Sequence, residues 1–207
     1  MNSNPWFVVE DPETDGEEPW AFDAGELAFI EALQTLAASW RVALAHSSVG
    51  RPEDDSSLMV WVSLSDSQPR LVLGEWAVHF YGTHVRAGSV CDQLFNLDET
   101  PASGFFRASG PAEQLAERCA AWFEAILTRP VLRMEWLSSE KVYATGWIFA
   151  DTAQPLGGSR DHTLTPTSRW NRRTPHSRHH RCTLIRGDAE PQPELHAHLC
   201  PYGPRRR

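Results

Sequence analysis

The chain has 207 residues, with 27 Asp and Glu against 19 Lys and Arg, a net charge of -8 and a mean hydropathy of -0.41. That length allows one well-buried domain, or a domain with a tail. No apolar run approaches the roughly 18 residues needed to span a bilayer, so a helical membrane protein is excluded. The charge is divided along the chain: residues 1–151 hold 23 acids and 9 bases, net -14, and residues 152–207 hold 4 acids and 10 bases, net +6. Nine Trp supply large side chains for a core, whereas 15 Pro argue that part of the chain stays outside it.

Residues 1–22 read as an acidic leader. A short apolar patch, Trp6 to Val9, precedes a Pro-broken run of Glu and Asp, a composition expected to remain solvated. The start, Met1 to Pro5, has neither the basic region nor the apolar core of a signal peptide, so a cytoplasmic location is expected. The four Cys are irregularly spaced, and Cys91 and Cys119 fall in segments that read as buried; reduced thiols are expected.

An α+β domain is expected over residues 23–151. Asp23 with Glu26 forms an Asp-x-x-Glu cap for a helix of about 20 residues, with Leu27, Ile30, Leu33, Ala37, Trp40 and Leu44 as its buried stripe. Gly50 to Ser57 reads as a polar connection. Leu58 to Leu64 and Arg70 to Tyr81 read as a hairpin around Ser65 to Pro69, with a bulge or break at Gly74. Ser89 to Leu97 is expected as a short helix and Thr100 to Ser109 as a loop. From Pro111, the apolar residues Leu115, Cys119, Trp122, Phe123, Ile126 and Leu127 mark one helical face, ended by Arg129-Pro130.

A second hairpin follows. With Ser138 to Lys141 as a four-residue loop, Leu137 would face Val142, Trp136 would face Tyr143 and Leu132 would face Trp147. Leu132, Met134, Trp136, Tyr143, Trp147 and Phe149 then share an aromatic face, expected to lie under a helix. The element order predicts an antiparallel sheet of four to five strands with two helices on one face. Residues 152–207 form a basic tail rich in His, Arg and Pro, expected to be largely disordered.

Candidate chemistry is sparse. Cys182, His196, His198 and Cys200 are ligand types that suit Zn²⁺, although their spacing matches no zinc-finger arrangement, and a biased tail is the plainer reading. Arg169, Trp170, Arg172 and Arg173 join cations to one aromatic ring, a pattern that can track a nucleic-acid backbone. Glu75, His79 and His84 could meet at a strand end as a carboxylate–imidazole group, with a partly exposed sheet histidine as the plainer reading of His79. The chain has no Gly-rich phosphate loop, nucleophile elbow, His-Glu-x-x-His or dinucleotide fingerprint, so no cofactor is expected beyond that candidate zinc.

The segment Ala121-Trp122-Phe123-Glu124-Ala125-Ile126-Leu127, followed by Arg129-Pro130 and Glu135-Trp136, resembles the end of small immunity proteins that neutralise bacterial polymorphic toxins. Val142 to Thr152 departs from that pattern and is closer to uncharacterised actinobacterial α+β proteins, and the element order also resembles the secretion-chaperone fold. All three resemblances imply binding instead of turnover. The expectation is therefore a non-enzymatic protein-binding module, an immunity or chaperone-like protein, able to form a homodimer. Its partner would be another protein such as a basic toxin, with Glu117, Glu124 and Glu135 as contacts. The alternative is a metal- or nucleic-acid-binding regulator acting through the basic tail.

Overall fold

The computed structural model describes residues 6–9, 20–42, 45–52, 56–66, 71–101, 104–138, 140–160, 163 and 180–187. Two compact units divide the chain between Leu127 and Thr128. The α+β class is as expected, but the single sheet is replaced by one of six strands in the first unit and one of four in the second. No helix among the described residues is long and apolar enough to cross a membrane.

The first unit runs β1 (Val8–Val9), α1 (Ala24–Ala37), β2 (Ala45–Gly50), β3 (Leu58–Asp66), β4 (Leu71–Phe80), β5 (His84–Ser89), β6 (Phe106–Ser109) and α2 (Ala112–Leu127). Its strands lie side by side in sequence order, all antiparallel except the β1–β2 pair. The capping box at α1 forms in full: Asp23 accepts from the Glu26 amide at 2.8 Å, and Glu26 accepts from the Asp23 amide at 2.9 Å. Glu26 also holds Arg51 at 2.6 Å. The stripe is rotated from the expected one: Phe29, Ile30, Leu33 and Ala37 are buried while Leu27 is 45% exposed. The larger ring of Phe29 takes the inward position and stacks on Phe80 of β4 at 4.5 Å.

Pleating assigns the two sheet faces. Val60, Val78, Phe80, Val85 and Ala87 point to the face that Phe29 covers, and α2 packs on α1. Along α2, Leu115, Ala116, Cys119, Ala120, Phe123 and Leu127 are buried. Burial pushes the Cys119 thiol up to about 12. An unfolded thiol ionises near 9, so the unfolded state loses its proton first and stability should fall as pH rises from 9 towards 12. Iodoacetamide should accordingly leave Cys119 unmodified in the native protein at pH 8.5 and alkylate it only in denaturant; mass spectrometry reads the difference. Cys91, expected to be buried, is exposed.

Within the apolar patch of the expected leader, Phe7 is core, while Val8 and Val9 are exposed. Phe7 is wholly buried against Trp40 and Phe123, with ring centroids 5.9 and 5.6 Å away. Its amide donates to Ser47 Oγ at 2.7 Å and its carbonyl accepts from Gln34 Nε2 at 2.9 Å, and β1 pairs with β2. Gly74 lies at a bulge as expected: Leu64 faces Gly74 while Ser65 faces Val72. Two expectations fail: Val90 to Leu97 is a run of turns with a bridge between its ends, and Phe106 to Ser109 is the sixth strand. Ala45 to Gly50 is a strand where no element was expected.

The second unit contains β7 (Val131–Ser138), β8 (Lys141–Phe149), β9 (Pro155–Arg160) and β10 (His180–Arg186), in the order β10-β7-β8-β9. Two stretches of the supposed disordered tail thus flank the hairpin on both edges. The hairpin turn is tighter than expected, since Ser138 pairs with Lys141. Leu137 faces Val142, but Trp136 faces Ala144, leaving Tyr143 as the extra residue of a bulge. That single insertion swaps the faces beyond it. Ile148, not Trp147, lies opposite Leu132, and Leu132, Met134 and Ile148 form a core joined by Trp136, Ala150, Cys182 and Leu184. Arg129, expected as the cation after α2, donates to both Asp151 oxygens at 2.9 Å and lies 3.6 Å from the Phe149 ring centroid. The hydrogen bonds from Arg129 hold the Asp151 carboxyl below its usual range.

Candidate functional site

The outer face of the six-stranded sheet has room for a site. Alternate residues there include Ser48 and Gly50 on β2, Met59 and Trp61 on β3, Ala77 and His79 on β4, and Arg86 and Gly88 on β5. The glycines admit close cover. A Cβ on Gly50 would sit 2.8 Å from the Trp20 ring, and one on Gly88 would sit 3.0 Å from the Asp98 carbonyl oxygen. Between these covered positions lies a hollow of about 690 Å³, walled by Met59, Trp61, His79, Tyr81, Arg86 and Phe95.

The loop after Val90 makes one wall, and local chemistry fixes it. Asp92 accepts from the Leu94 amide at 3.0 Å, the Asn96 amide at 3.1 Å and the Asn96 side chain at 2.8 Å. The side-chain bond from Asn96 is the foremost cause of a lowered Asp92 carboxyl. Phe95 is held at φ 57°, an uncommon conformation for a bulky residue. This turns its ring to Trp61, with centroids 5.1 Å apart, and its carbonyl to His79 Nε2 at 3.1 Å.

That last contact settles the chemistry of His79. A carbonyl only accepts, so Nε2 carries a proton, and Nδ1 lies 3.3 Å from Ser57 Oγ. Ser57 is 3% exposed, so its hydroxyl serves the interior, and His79 is held at both nitrogens. His79 stitches the loop to the sheet. The expected Glu75–His79–His84 group does not assemble: four residues of strand put Glu75 about 13 Å from His79. His84 instead stacks on Tyr81 at 4.8 Å, and Tyr81 lies 6.5 Å from His79.

Residues 1–127 carry 20 acids and 6 bases, net -14. Among the described residues, two of those bases, Arg51 and Arg86, line the hollow together with Glu99. Glu99 pairs with Arg86 and with Arg107, the latter at 2.8 Å. No family model, curated protein or solved structure matches the chain.

The residues singled out in the sequence fall in different places. Glu117 and Glu124 are exposed on α2, as is Glu113. Glu135 is not a surface acid: its side chain is 12% exposed and holds Arg181 at 2.6 Å, with Arg133 at 3.8 Å, tying β10 to β7. Cys182 packs towards the Leu132 core, and burial raises its thiol. Among the described residues no three His, Cys, Asp or Glu side chains converge as a metal site. His196, His198, Cys200, Arg169, Trp170, Arg172 and Arg173 lie outside the described residues. The hollow itself escaped sequence reasoning. Its only trace was the alternation around Trp61 and His79, which gains meaning once the strands are in register.

Proposed function

We propose that the protein is a non-enzymatic module that binds another protein with a basic surface, in the manner of an immunity or chaperone-like factor. The observation that carries this reading is the charge partition: 20 acids against 6 bases in the first unit, with Glu113, Glu117 and Glu124 exposed along α2. Such a field raises the rate of encounter with a cationic partner and disfavours nucleic acid on the same unit. The fastening of His79 and the inertness of Cys119 leave the two most chemically suggestive groups of this unit with structural work.

The test is capture followed by kinetics. Tagged protein should co-purify with a basic partner. The variant carrying Glu113→Lys, Glu117→Lys and Glu124→Lys should bind that partner with an association rate about tenfold or more lower at low salt. A variant that associates at the wild-type rate would remove the acidic helix from the account.

A further inference from the structure

Two anchored stretches of the first unit end and begin beside neighbouring residues of one strand. Val9 of β1 lies opposite Val49 of β2, and Trp20 lays its ring over Gly50, the next residue along. Residues 10–19 join them and carry Glu10, Asp11, Glu13, Asp15, Glu17 and Glu18, with no Lys or Arg. We infer that two copies of this chain exchange the Trp6–Val9 segment, each copy's Phe7 seating against Trp40 and Phe123 of the other, to give a strand-exchanged dimer.

The way the segment is held permits the exchange. β1 is a two-residue strand at the edge of the sheet, with Val8 44% and Val9 37% exposed. Its departure leaves the pairings from β2 to β6 untouched. The segment's anchors are the rings of Trp6 and Phe7, which meet Trp40 at 5.1 and 5.9 Å, and Phe7 also meets Phe123 at 5.6 Å. The Phe7 amide donates to Ser47 Oγ and the Phe7 carbonyl accepts from Gln34 Nε2. Gln34, Trp40, Ser47 and Phe123 all lie outside the segment, so a second copy offers the identical set and every contact survives the exchange.

The connection supplies the drive. Within one copy, the chain must return from Val9 to Trp20 beside adjoining positions of β2, although ten residues can span ~35 Å. Six like charges oppose that return, since self-repelling connections extend. Pro12 and Pro19 fix two of its φ angles and so narrow the paths that achieve it. The effective concentration of the segment at its own groove is lowered accordingly. Crossing to a second copy lets the same residues stretch out while Phe7 keeps its pocket.

Light scattering over a concentration series of the full chain reads the dimer. Isotope-filtered NOE spectra of mixed labelled and unlabelled chains identify what is exchanged. A dimer should form below millimolar concentration, with NOEs from Phe7 of one copy to Trp40 or Phe123 of the other. The variant carrying Glu10→Gln, Asp11→Asn, Glu13→Gln, Asp15→Asn, Glu17→Gln and Glu18→Gln should dimerise about tenfold or more weakly, because its segment returns more readily to its own groove. Removing six negative charges takes the net charge from -8 to -2, which would tighten a dimer held by any other surface or leave it unchanged. A chain that stays monomeric up to millimolar concentration, or a dimer without those NOEs between copies, would overturn the inference. So would a neutralised variant that dimerises as well as the wild type or better.

Discussion

Phe7→Ala should destabilise the first unit by about 3–5 kcal/mol, the range for deleting a wholly buried aromatic ring. The ring is 0% exposed and touches Trp40 and Phe123, so its removal opens a cavity between residues far apart in the chain. Neighbouring Trp6 meets Trp40 edge-on at 5.1 Å and cannot fill the space without giving up that contact. The backbone bonds to Ser47 and Gln34 do not require the ring, and they separate two explanations. If the cost comes from packing, Phe7→Leu should recover about half of it. If the segment were only a solvated leader, urea denaturation of Phe7→Ala would match the wild type within about 0.5 kcal/mol.

Ending the chain at Asp151 should unfold the second unit. The cut removes β9 and β10, one from each edge, and leaves only the β7–β8 hairpin. An isolated two-stranded hairpin is marginal in water. The loss is also chemical: Glu135, 12% exposed at its side chain, would lose Arg181, and the core around Leu132, Met134 and Ile148 would lose Cys182 and Leu184. Amide exchange should show protection in Val131–Ser138 and Lys141–Phe149 falling to that of an unstructured peptide. Retained protection would mean that the hairpin needs neither flanking strand. The same cut is therefore a poor test of a tail-borne activity, since it removes part of a fold together with the tail.

The legible and illegible parts of this chain differ in how local their determinants are. Asp23 with Glu26, the α2 stripe at Leu115, Cys119, Phe123 and Leu127, and the Gly74 bulge each rest on residues within a few positions of one another, and each forms as expected, while Trp122 and Ile126 are half-buried. β2 was hidden because Ser47 and Ser48 are buried polar residues, with the Ser47 hydroxyl serving the Phe7 amide forty positions away. The face of the second hairpin turned on one bulged residue, Tyr143, which no periodicity announces. Leu27 and Phe29 both satisfy a helical stripe, and only the ring of Phe80 selects between them.

The site follows the same rule. Met59, His79 and Arg86 are unremarkable one by one, and cross-strand register sets them side by side. The charge partition, in contrast, was visible at once and is sharpened by the fold. Residues 128–151 are neutral, so moving the division from 151 to 127 leaves -14 and +6 unchanged and places the whole surplus of acid on one compact unit. Of the three expected acidic contacts, Glu117 and Glu124 are exposed, while Glu135 is largely buried against Arg181.

The measurement that bears most directly on the proposed function is the association rate with the co-purified partner as a function of salt. A basic protein steered by the acidic unit should associate about tenfold or more slowly at 0.5 M than at 0.05 M salt, with the dissociation rate changing far less. The charge-reversed α2 variant should show the slow rate at both salts. Association that is independent of salt in the wild type, or a partner that is itself acidic, would contradict the account.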